Sequence, residues 1–468
     1  GSGMTISQGT AKTLSLKCDV STAADASYYW GLDAALDDAA GTYTGATGLA
    51  SAQTITETVT GSNGQRMTGA TGGSLAVAID DNSPAYKIVA AGTTGVELVR
   101  IKFSATNEAI NLRVIGLQLT SAAASNTPDD LVLHKVSLYD AAAPTVLLAT
   151  AEFTTGDFAT SGPISGVLVP KDGAKVIIVK GDIEAITASG PLTASGDLLI
   201  VDYDGDSEGL ANGTYGVGLA SGSNVTPSAS DTASQGVRVM RTYPVVESIA
   251  LSTSEKTLAA GTTADKVIYK FKVTAAGGPT SATAGDSIAL YKLGFEVGSS
   301  TLAATTSLYS LYAYTDSTYS NTDTTFSATG LINAGQCFNA LVGTGAGPRE
   351  VNIYADKTGC NTATTTYKIP VGQTRYFQLR ATVASVESGT TNIDSFTVRL
   401  AGDTAFPTSQ ATLMVKASTV DSDTNDDFIW SPISTTTSST IGDLDFSNGY
   451  QVPGLPDVGT TQESIQSN

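Results

Sequence analysis

The chain has 468 residues, of which 41% are apolar and only 15% charged, with a formal net charge of −19. So acidic a surface repels nucleic acid and anionic membrane, which excludes both as partners, while hard cations such as Ca²⁺ are drawn to it. Three cysteines and one histidine leave almost no thiolate or imidazole chemistry, and no run of about 18 apolar residues offers a membrane-inserting helix.

The uncharged remainder is mostly Thr, Ser, Ala and Gly, a mix that suits strands and tight turns better than long helices. Length predicts about two to four domains. After an opening "GSGM" that is set aside from fold reasoning, "ISQGTAKTLSLKCDV" runs from Ile6 to Val20. The same build recurs as "VPKDGAKVIIVKGDI" from Val169 and as "IPVGQTRYFQLRATV" from Ile369. Leu14, Ile177 and Phe377 correspond, as do Leu16, Val179 and Leu379. Cys18, Gly181 and Ala381 follow, then Val20, Ile183 and Val383. Alternation by two places these side chains on the inward face of a strand, with Lys17, Lys180 and Arg380 outward. Cys18 falls on a small inward slot, which predicts a buried, inert thiol.

Two further elements precede the later copies. "AAGTTGVELVRIKF" from Ala90 matches "AAGTTADKVIYKFKV" from Ala259, the latter with one extra residue. "INLRVIGLQL" from Ile110 matches "IALYKLGFEV" from Ile288, Gly116 falling on Gly294. Two matched pieces in the same order indicate domain duplication. The expected layout is all-β: a partial unit over residues 1–70, an immunoglobulin-like β-sandwich over 71–243, and a larger one with an insertion over 244–468.

The first unit has the Lys-bearing strand but not the two elements that precede it elsewhere. Half a sandwich exposes strand edges, so a neighbouring subunit or a longer precursor is expected to complete it. Cys337 and Cys360 both lie in the insertion, where a disulfide clipping it, and hence an oxidising location, is the simplest reading, two buried free thiols being the alternative.

Asp202, Asp204, Asp206 and Glu208 alternate in "DYDGDSEG", and Asp421, Asp423, Asn425 and Asp427 alternate in "DSDTNDD". Alternate carboxylates on a turn can supply several of the about six to eight hard oxygens that Ca²⁺ takes, so both are candidate Ca²⁺ loops, the alternative being a solvated acidic turn. "DDNSP" at Asp80 reads as an Asx-type turn. His134 lies in an apparent strand without a second metal-ligand motif, which makes it structural. "LPDVG" from Leu455 has Val458 where a sortase signal has Thr, and reads as a turn. Trp30, Trp430 and the 18 tyrosines could form a carbohydrate platform, though scattered aromatics are more often core or interface. No nucleotide-binding or nucleophile-elbow motif occurs, and the chain is not expected to be an enzyme.

The stretches "AAGTTG" with "RIKFSATNE", "DDLVLHKVSLYD", "VPKDGAKVIIVKGDI", "LLIVDYDGDSEG" and "FIWSPIS" with "DFSNGYQVPGLP" are similar to those of tandem Ig-like cell-surface proteins of candidate-phyla-radiation bacteria (Patescibacteria). That resemblance implies an extracellular location at the bacterial envelope and a self-assembling homopolymer, an S-layer or surface filament. Members often carry a peptidoglycan-binding region that these stretches do not include. The runner-up is an adhesin or stalk that binds cell-wall or host glycans.

Overall fold

A computed structural model describes residues 3–17, 27–31, 46–55, 64, 66–68, 72–120, 127–154, 157–187, 190–193, 195–205, 213–227, 230–277, 286–299, 305–333, 338–340, 348–356, 365–387, 393–407, 415–421, 426–433 and 444–467. The described chain is almost entirely strand, turn and loop. Its helices are one 3₁₀ turn, Pro128–Asp130, and one four-residue helix, Ala417–Val420. No helix among the described residues is long and apolar enough to cross a membrane.

The first sandwich is built on a five-stranded antiparallel sheet in the order Ala143–Glu152, Leu131–Asp140, Gly173–Ile183, Val96–Thr106, Ser74–Ile79. Short strands face it: Ile110–Val114, Gly116–Leu119, Val201–Tyr203, Tyr215–Gly218 and Val237–Met240 among them. Phe103, Ile101, Val99, Ile110, Leu117, Ile177 and Val179 are fully buried between the layers. Removing this much apolar surface from water is the main term holding the layers together.

The second sandwich repeats the plan. Its four-stranded sheet runs Thr242–Ser248, Gly261–Gly277, Thr374–Val386, Thr305–Tyr314. Opposite lies a sheet centred on Ser287–Ser299, which pairs with Arg349–Tyr354, Ser395–Leu400, Tyr367–Pro370 and Phe428–Ser431. Ile177 pairs with Ile101 and Val179 with Val99 in the first unit; Phe377 pairs with Phe271 and Leu379 with Tyr269 in the second. The extra residue after Ala259 is taken up by register shifts between Gly261 and Tyr269, where Asp265 has a positive φ of 54°. A bulge absorbs an insertion in this way without moving the inward face downstream.

The two sandwiches share one apolar core at their junction. Tyr86, Ile88, Leu198, Ile200 and Met240 from the first cluster with Val246, Phe271 and Trp430 from the second. Tyr86 packs edge-on against Phe406, with centroids 4.6 Å apart, and stacks on Tyr450 at 5.6 Å. The buried Arg238 guanidinium lies 5.5 Å from the Phe406 ring centre and donates to Gly196 O at 2.8 Å.

Candidate functional site

The first copy of the repeated strand differs sharply from the other two in its surroundings. Ile177, Val179, Phe377 and Leu379 are each 0% exposed. Their counterparts Leu14 and Leu16 are 74% and 73% exposed. In the later copies both edges of the strand are paired: Gly173–Ile183 lies between Leu131–Asp140 and Val96–Thr106, and Thr374–Val386 between Gly261–Gly277 and Thr305–Tyr314. No strand among the described residues pairs with residues 11–17. Ile6 and Met4 are also exposed, each at 52%. Cys18 lies outside the described residues.

The basic positions of the repeat are used alike in both later copies. Lys180 Nζ stands 4.9 Å from the centre of the Tyr139 ring on the neighbouring strand, and the Arg380 guanidinium 4.7 Å from Tyr312. Each cation covers an aromatic face from the diagonal cross-strand position. Lys17 is exposed.

The two acidic loops come out differently. Asp202 is fully buried and accepts from Thr120 Oγ1 and, at 2.6 Å, from the Ser234 amide. Burial raises its pKa, and these bonds oppose the rise. Asp202 thus anchors the 232–234 loop. Asp204 is also buried, next to Gly116. Asp206 and Glu208 lie outside the described residues, as do Asp423, Asn425, Cys337 and Cys360.

Asp421 and Asp427 approach the same strand, Ser287–Ser299, but meet different partners on it. Asp421 accepts from the buried Lys292 Nζ at 2.9 Å and from Tyr354 OH at 2.9 Å. Lys292 also donates to Asp426 O at 2.8 Å. Asp427 sits over Gly294, whose amide donates to Asp427 O at 2.6 Å. Burial, then the neighbouring Glu350 carboxyl, raises the Asp427 pKa. Asp403, fully buried beside them, accepts from the amides of Asp427, Phe428 and Gly449, and burial still lifts its pKa to about 6. Among the described residues, no three His, Cys, Asp or Glu side chains form a ready metal-ligand set.

His134 is at the surface, its Nε2 3.1 Å from Asp129 Oδ1, on a bulge where Leu133 and His134 have φ of 57° and 53°. Asp80 caps its own turn by accepting from the Asn82 amide at 3.0 Å. Trp430 is buried in the core and Trp30 is 45% exposed. In "LPDVG" the Gly459 amide donates to Pro456 O at 2.7 Å, closing a turn. A groove of about 360 Å³ opens on the second sandwich between Thr325, Phe326, Thr365, Lys368, Pro370 and Arg375. Arg375, one of its lining residues, donates through Nε to the buried Asp323 carboxylate, which also accepts from Tyr367 OH at 2.7 Å.

Sequence reasoning missed the Lys292 cluster. Its one signal is a lysine in the middle of an otherwise apolar stretch, "IALYKLGFEV".

No family model matches the chain, and no curated protein matches it. Among solved structures, the C-terminal domain of the Streptococcus agalactiae AgI/II polypeptide BspA is 10% identical, over 70% of this chain and 95% of that one, with a TM-score of 0.18. The collagen adhesin of S. aureus is 10% identical over 70% and 84%, TM-score 0.14. The major pilin SpaD of Corynebacterium diphtheriae is 14% identical over 70% and 62%, TM-score 0.18. TM-scores this low carry no inference about topology or function.

Proposed function

We propose that the chain is a secreted bacterial cell-surface structural protein whose sandwiches assemble into a surface layer or extracellular filament. The observation that carries this reading is the exposure of Leu14 and Leu16, whose counterparts in both later units are wholly buried in a paired strand. Burying a leucine side chain is worth about 1.5–3 kcal/mol, and a segment with no strand partner among the described residues can gain backbone hydrogen bonds as well. A second copy that pairs with residues 10–17 would recover both. The placement at a bacterial envelope comes from the sequence resemblance, and the work assigned is mechanical rather than catalytic. The shared core at the junction of the sandwiches supports a stiff rod over loosely tethered beads.

Negative-stain electron microscopy of the purified chain, with and without Ca²⁺, tests the proposal. Sheets or fibres are expected. Dispersed single rods at high concentration would contradict self-assembly.

The groove bounded by Lys368 and Arg375 favours a second reading, an adhesin or stalk that holds a glycan there. Glycan-array binding by a chain that remains monomeric would select it over the first.

A further inference from the structure

We propose that Glu350, Asn352 and Asp427 form the protein half of a site for a hard divalent cation of the calcium type, seated over Gly294. The argument begins with strand pairing. Arg349–Tyr354 runs antiparallel to Ser287–Ser299, with Asn352 opposite Gly294 and Glu350 opposite Glu296. Side chains two apart share a face, so Glu350 and Asn352 project to the same side. On the other edge of Ser287–Ser299 the partner changes at Gly294: Phe428–Ser431 pairs up to Leu293, and Ser395–Leu400 pairs from Phe295 onward. Asp427 enters through that break.

Gly294 leaves the space open. A Cβ there would meet Asp427 Oδ1 at 2.8 Å, Asp427 Cβ at 2.9 Å and Asn352 Oδ1 at 3.1 Å, so both oxygens lie close over Gly294, one from each flanking segment. Both oxygens are buried and have no hydrogen-bond donor among the described residues. Asn352 is only 9% exposed, and its amide nitrogen is turned away to Glu350 Oε1 at 2.5 Å. An amide oxygen left bare in so buried a place costs about 1–3 kcal/mol unless something binds it.

Charge points the same way. The cations nearby are already engaged: Lys292 with Asp421, and Arg399 with Glu296. Neither Glu350 nor Asp427 has an ion-pair partner among the described residues. Two carboxylates and an amide carbonyl are hard oxygen donors, and no thiol or imidazole lies in the set, which selects against zinc and copper. Water would complete the coordination from the half-buried side of Glu350 and Asp427. This ligand set differs from an alternating loop: Asp421 is committed to Lys292 and Tyr354 and takes no part.

The test is calorimetric titration of chelator-stripped full chain with CaCl₂, paired with melting curves. Asp427→Asn and Glu350→Gln each remove one charge at nearly constant volume. The native chain is expected to bind calcium with a raised melting temperature. Each variant is expected to bind at least about tenfold more weakly, with a metal-free melting temperature equal to or above the native one. No calcium binding by the native chain, or unchanged affinity in both variants, would overturn the site. If one variant fails to fold, the other decides. The readout is independent of polymer formation, so failure here leaves the assembly proposal standing, and the reverse.

Discussion

Lys180 Nζ lies 4.9 Å from the centre of the Tyr139 ring, and Arg380 repeats the arrangement over Tyr312 at 4.7 Å. The pairs occupy matching registers, since Ser137 pairs with Lys180 and Ser310 with Arg380. The two units therefore share an outward-face contact as well as the inward face. Replacing Lys180 by Ala is expected to cost about 0.5–1 kcal/mol, the range for a partly exposed cation over an aromatic ring. Chemical denaturation of the single and the Lys180→Ala/Tyr139→Leu double variant, as a cycle, measures it.

The core of the second sandwich centres on Phe271, which stacks on Phe377 at 4.8 Å with an interplanar angle of 11°. Both are fully buried. Phe271→Ala is expected to destabilise by about 3–5 kcal/mol through lost transfer energy and a cavity. Urea unfolding followed by tyrosine fluorescence reads this directly. A loss below about 1 kcal/mol would mean that the cavity collapses, which the stacked Phe271–Phe377 packing does not allow.

Because Tyr86, Ile88, Leu198, Ile200 and Met240 of the first unit pack into the core cluster of the second sandwich, the two are expected to unfold together. Tyr86→Ala should uncouple them, turning one calorimetric transition into two. A native chain that already melts in two separated steps would contradict a shared core.

Glu108 holds a long-range crossing. Its carboxylate accepts from the amides of Gly73, Ala220 and Ser221 and from Ser221 Oγ, all at 2.8–2.9 Å. The Ser221 bonds first, with those of Gly73 and Ala220, hold its pKa at about 2. A carboxylate whose folded pKa lies below its unfolded value stabilises the fold above the unfolded value and loses that contribution as pH falls toward the folded one. The contribution is thus present above about pH 4.5 and lost between there and about 2. Glu108→Gln should flatten this acid limb in unfolding measurements across that window.

Asp130 behaves in the opposite sense. It is fully buried against Asp197, and burial, then the neighbouring Asp197 charge, raises its pKa. Such a group stabilises the fold below its unfolded pKa of about 4, and that contribution is lost as pH rises through the folded value. Asp130→Asn should therefore gain stability relative to the native chain as pH rises toward neutrality, with little difference below about pH 4.

The sequence carried the strands that repeat. Alternation alone placed Ile177, Val179, Phe377 and Leu379 inward and Lys180 and Arg380 outward, because strand geometry imposes a period of two whatever the neighbours are. The acidic clusters were less legible. Asp421 and Asp427 alternate along one loop, yet Lys292 and Gly294, far away in sequence, decide their separate surroundings. Nothing in "SATNEAI" marks Glu108, since its partners Gly73 and Ser221 lie 35 and 113 residues away. Periodicity reports which face a side chain takes, whereas tertiary partners determine what an acid on that face does.

Leu14→Asp combined with Leu16→Asp should abolish self-association while leaving the melting temperature of the two sandwiches within about 1 °C, because both side chains are exposed in the single chain and exposed sites contribute little to folding.

The most direct measurement of the central claim is hydrogen–deuterium exchange at the amides of residues 10–17 as protein concentration rises. Strand pairing between copies predicts fast exchange in the dilute chain and strong protection in the concentrated one, alongside the appearance of polymers. Polymers in which these amides still exchange freely would show that the exposed segment is not the joint.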